Sequence, residues 1–119
     1  MTRCRSQANL FASASWNETL VTSRLLEYAT WNRLHAYGLT TSHGTPARAV
    51  LAELAYLELT QLVLSRALEP FPLAARTLGA LHLASAEFLQ RQGQRGQIAT
   101  YDRRLQNCAQ SLGMESWPL

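Results

Sequence analysis

The sequence predicts an α/β domain, with helices flanking a central parallel sheet. Two observations carry that expectation. Segments with helical and strand-like patterns follow one another as helix, strand, helix, helix, strand, helix, strand, helix, the order expected of parallel strands joined by helical crossovers. The composition agrees: 47% of the 119 residues are apolar and 16% charged, enough for one small packed core and unlike a disordered chain. No internal repeat and no long linker interrupts the chain, so residues 1–119 are expected to form a single domain.

Residues 1–18 carry the weakest pattern; Ala8, Leu10, Phe11 and Ala14 would share one face of a short helix ending around Asn17. TLVT at 19–22 is a short β-prone run. Ser23 then fits an N-cap, and RLLEYATWNRLHAY runs helically to Gly38 as the residue that closes the helix. On this helix Glu27 shares an arc with Trp31 and Leu34, so it is either a functional carboxylate or an edge glutamate solvated or paired with Arg24.

LTTSHG reads as a loop, and Thr45-Pro46 as a cap followed by proline in the first turn of the next helix. ARAVLAELAYLEL continues that helix, LTQLVL reads as a strand, and the two prolines of SRALEPFPLAA mark a connector. From Arg76 the longest helix begins. Leu78, Leu81, His82, Ser85, Phe88 and Leu89 lie on one face of it, and Gly79, Leu83 and Ala86 on another. Gly79 costs about 1 kcal/mol relative to alanine inside a helix, for which close packing is the structural explanation. QRQGQRGQ breaks the helix and IATY is a strand. Asp102, the only aspartate of the chain, caps a last helix that ends at Gly113, with MESW as an edge strand.

The formal charge of +3 rests on eleven arginines and no lysine. Guanidinium groups suit phosphate, although solvated helix faces also account for such a balance. Cys4 and Cys108 form no C-x-x-C pair and fit a reducing cytosol. No apolar run reaches the length of about 18 residues a membrane span requires, and residues 1–15 lack the continuous apolar stretch of a signal peptide. The expected setting is the cytoplasm.

Phosphate-binding and zinc-protease motifs are absent from the sequence. His35, His43 and His82 show no metal-ligand spacing, and His82 falls in an apolar face where a hydrogen-bonded core histidine is expected. Two carboxylates stand where an open α/β sheet places its sites, just beyond the carboxyl ends of strands: Glu27 after TLVT and Asp102 after IATY. Several carboxylates converging on Mg²⁺ or Mn²⁺ would be the apparatus of phosphodiester hydrolysis.

Three pieces, TSRLLEYATWNRL, RTLGALHLASAEFL and IATYDRRLQNCAQSLGM, resemble in order and spacing the PIN-domain nucleases, and especially the VapC-type toxins of toxin–antitoxin pairs. The resemblance covers residues 19–119 and leaves 1–18 weakly matched. It implies a three-layer fold with a central parallel sheet and Mg²⁺- or Mn²⁺-dependent cleavage of RNA. It also implies a homodimer and a cognate antitoxin protein as partners. Glu27 and Asp102 match metal-binding, catalytic acids of the family; Gly79 stands where a third acid is expected and cannot bind metal. Glu87, two turns further along on a different arc, is a poor substitute.

The family's first acid ends a first strand that is central to its sheet, and nothing ahead of TLVT matches it. The first strand is therefore expected to be missing, and two of four acids to remain. Three accounts of the gap stand open: a start at an internal methionine, a truncated or degenerate copy without nuclease activity, and a catalytically silent module that still binds protein. With two carboxylates, Mg²⁺ would be held weakly and cleavage would be absent or slight.

Overall fold

The computed structural model describes residues 2–5 and 19–117. They form a mixed α/β domain of five short strands and five helices. The elements are β1 (Thr2–Arg5), β2 (Thr19–Ser23), α1 (Leu25–Ala36), α2 (Thr40–Ala52), β3 (Ala55–Leu57), α3 (Gln61–Ala67), α4 (Thr77–Arg91), β4 (Arg95–Ile98), α5 (Arg103–Ser111) and β5 (Glu115–Ser116). The strands make one sheet in the order β3-β2-β1-β4-β5. β2 pairs with β3 and β4 with β5 in parallel. β1 is antiparallel to both of its neighbours, Thr2 lying opposite Val21 on one side and Ile98 on the other. Four strands thus share one direction, and the central one opposes them.

This corrects two expectations. The sheet is mixed rather than parallel throughout, and its central position is filled, by Thr2–Arg5. TRCR gave little strand signal because it is only four residues long and has one apolar residue, Cys4; enclosure by backbone pairing on both sides makes the strand instead. The helix expected at 8–14 lies outside the described residues.

Elsewhere propensity yields to packing. The segment expected as a loop at 39–44 is the first turn and a half of α2. Gly38, at φ 66°, turns the chain back. Gly44 is buried against Trp31, where a Cβ would sit 3.5 Å from the indole ring. Pro46 consequently falls inside the helix, not at its start. LTQLVL is not a strand: β3 comes earlier, at Ala55–Leu57. Thr60 caps α3, its hydroxyl accepting from the Val63 amide at 3.4 Å, and Val63 is buried where α3 packs along α4. IATY contributes only Ile98 to β4, which starts at Arg95 within the expected break.

The core lies between α4, α5 and the β4–β5 side of the sheet. Leu83, Ala86, Ile98, Leu105, Cys108, Ala109 and Met114 form its buried cluster, with Phe71, Ala75 and Leu112 packed around it. Each large aliphatic side chain fully buried there contributes about 1.5–3 kcal/mol. The arc of α4 that carries Leu83 and Ala86 is thus the one most enclosed, while Leu78 is exposed. Among the described residues no helix is long and apolar enough to cross a membrane.

Candidate functional site

β2 and β4 run the same way and end at the same edge of the sheet, with β1 between them. Val21 and Ile98 are level across Thr2, two strand spacings or about 10 Å apart. The chain leaves β2 into α1, bringing Glu27 into the first turn of that helix. It leaves β4 through Ala99, Thr100 and Tyr101 to Asp102 and α5. α4 packs against β2, β4 and α5, and a Cβ on Gly79 in its first turn would meet the Leu105 side chain of α5 at 3.6 Å.

Asp102 is exposed, and its Oδ1 accepts from the Arg104 amide at 2.9 Å and the Leu105 amide at 3.2 Å. Its own amide donates to Thr100 Oγ1 at 3.1 Å. The carboxylate is therefore a helix cap first, with one oxygen outside those bonds. The Glu27 carboxylate lies 3.7 Å from the Arg24 guanidinium and is 43% exposed, the surface pairing that its sequence position allows. Arg24 binds Glu58 more closely, at 2.6 Å, and lies over the Tyr56 ring, 4.4 Å from its centroid.

Ser23 and His82 are what the edge joins most directly. Ser23, expected to cap α1, is the last residue of β2 and is buried; its hydroxyl and His82 Nδ1 are 3.0 Å apart. α1 starts without a side-chain cap. Burial lowers the His82 pKa to about 4, so the ring is neutral at pH 7, as expected of a core histidine. The pair lines a small cavity with Val21, Leu57, Leu89 and Ile98. The buried Thr22 hydroxyl next in the chain has no partner among the described residues. No sequence signal singled out the pairing of Ser23 with His82, because the residues are 59 apart and only the packing of α4 on β2 joins them.

A resident divalent metal does not fit these residues. Among those described, no group of three or more His, Cys, Asp or Glu side chains is placed to hold an ion. Glu27 and Asp102 come from different elements, and Asp102 is engaged by backbone amides. Glu87 bridges Arg66 at 2.8 Å and Arg91 at 2.9 Å, so it serves α3 and α4, not this edge. His35 bonds Thr40, and His43 bonds its neighbour Ser42. Comparison with protein-family models, with curated proteins and with solved structures finds no match to this chain.

Proposed function

We propose that this chain is a PIN-like domain of the VapC type, a ribonuclease scaffold in which cleavage of RNA is absent or slight. The observation that carries the reading is the shared edge: two strands of one direction, with β1 between them, end at the same side of the sheet, and a carboxylate follows each of them, Glu27 and Asp102. Gly79, in the first turn of α4 and beside Leu105 of α5, stands where the resemblance expects a third acid. Cytoplasmic location, RNA as substrate, and a second copy or an antitoxin peptide as partners belong to the same proposal.

Position 79 makes the reading testable. A Cβ there would meet only ordinary contact with Leu105, and an acid in the first turn of a helix is electrostatically favoured. Gly79→Asp is expected to tighten Mn²⁺ binding in calorimetry and to raise metal-dependent cleavage of a labelled RNA above the wild-type level. Adding Asp102→Asn should remove both gains. A folded Gly79→Asp protein with neither gain would sink the proposal. Wild-type cleavage with Mg²⁺ that Asp102→Asn abolishes would overturn the claim of silence.

A second reading, a protein-binding module without catalysis, is favoured by one observation. Tyr28, Tyr37 and Val50 are 68%, 66% and 62% exposed on the α1–α2 pair. Large, exposed, partly apolar side chains on this pair of helices suit a protein partner. Size-exclusion chromatography with light scattering checks self-association: a dimer dispersed by Tyr37→Glu supports this reading, and a monomer across the accessible concentrations counts against a homodimer.

A further inference from the structure

We propose that the edge beyond β4 is a metal-independent binding surface for single-stranded nucleic acid, with Tyr101 as a stacking platform and Arg76, Arg103 and Arg104 as phosphate contacts. The choice of RNA rests on the ribonuclease-scaffold reading, but the surface is built from side chains which that reading does not use.

The way the chain treats its arginines points here. Arg24, Arg66 and Arg91 are ion-paired with glutamates. Arg33 and Arg48 lie over the rings of Tyr37 and Trp31. Among residues with described side chains, Arg76, Arg95, Arg103 and Arg104 have neither an acid nor a ring as partner, and all four are exposed. Three of those four stand at the N-terminal ends of α4 and α5, two helix ends that approach each other at Gly79 and Leu105. Arg103 and Arg104 open α5, and Arg76 precedes α4 one turn before Gly79, whose position abuts Leu105 in the first turn of α5. Asp102 is the only acid between residues 88 and 114, and its Oδ1 is bonded to backbone amides.

Tyr101 immediately precedes Asp102 and the two arginines that open α5, and is 89% exposed, with no ring contact or hydrogen bond to any described residue. Water gains nothing from a presented phenol face, whereas an unpaired base stacks on it, and neighbouring guanidinium groups take the phosphates on either side. A duplex hides its base faces, so the surface should prefer single strands. An acidic protein would use the arginines but has no need of the ring.

The test is fluorescence anisotropy of a labelled 12-nucleotide single-stranded RNA, in EDTA so that metal and cleavage play no part. Wild-type protein should bind it more tightly than the blunt duplex of the same sequence. Tyr101→Ala should weaken binding by about tenfold or more, as removing the platform for one stacked base does, and Tyr101→Phe should restore it. Arg103→Gln with Arg104→Gln should lower the slope of log affinity against log salt by about 1.4, or about 0.7 for each phosphate no longer neutralised. Circular dichroism unchanged in Tyr101→Ala, expected for so exposed a side chain, makes the comparison fair. Equal binding by Tyr101→Ala and wild type, or a duplex bound as tightly as the single strand, would overturn the proposal and would favour an acidic protein partner for the arginines. Because the assay excludes metal, its failure leaves the Gly79→Asp experiment standing, and the converse holds.

Discussion

At the scale of single residues, three side chains lend themselves to direct measurement. Gly79 is not required by packing, since its nearest neighbour would be 3.6 Å from an added Cβ. Gly79→Ala should therefore raise stability by about 1 kcal/mol, seen as a rise of about 4 °C in the thermal midpoint. Asp102 should cost about 1 kcal/mol when changed to alanine and little when changed to asparagine, which caps equally well. His82 governs a pH response. Its folded pKa is about 4 against an ordinary value of 6.5, so between those values the unfolded chain binds more protons and stability rises with pH. The contribution is complete above about pH 6.5 and lost as the solution falls through pH 4, amounting to at most about 3 kcal/mol. Urea titrations at pH 7 and pH 5 should show this loss in the wild type and much less of it in His82→Gln. The positions of Glu27 and Asp102, each at the start of a helix that follows a strand, were legible in the sequence; the serine that binds His82 was not, because its partner is supplied by tertiary packing.

Among the elements, α3 and α4 are joined by an ion pair that is mostly withdrawn from water: Arg66 and Glu87 retain 15% and 13% side-chain exposure. Arg66 also lies over the Phe71 ring, 4.1 Å from its centroid. Glu87→Ala would leave that guanidinium without its carboxylate and is expected to cost about 3 kcal/mol, measurable by denaturant unfolding and larger than the effect of Arg91→Ala at the exposed end of the same bridge. The long helix and the capped last helix could be read directly from periodicity, Asp102 and Gly113, because their own residues specify them. α3 and the start of α2 could not. In α3 a β-prone run is held helical by the Thr60 cap and the burial of Val63. In α2 the decisive contact is Gly44 on Trp31, thirteen residues away.

Over the whole molecule, the radius of gyration is 15.1 Å, against about 13.5 Å for a compact chain of this length. α1 has no buried residue and leans mainly on α2. Hydrogen exchange should find its amides opening well below the global unfolding free energy, while those of α4 follow the global value. The opposed central strand has a consequence of another sort. Either side of β1 is a self-contained crossover unit, β2 to β3 through α1 and α2, and β4 to β5 through α5. Within the sheet the four residues of β1 join the two, α4 packs against both β2 and β4, and the pairing of Thr2 with Ile98 spans nearly the whole chain. During synthesis the first strand to emerge must therefore wait for almost the last before its second edge is covered, and the sheet closes at the same moment as the edge where Glu27 and Asp102 are brought to one side.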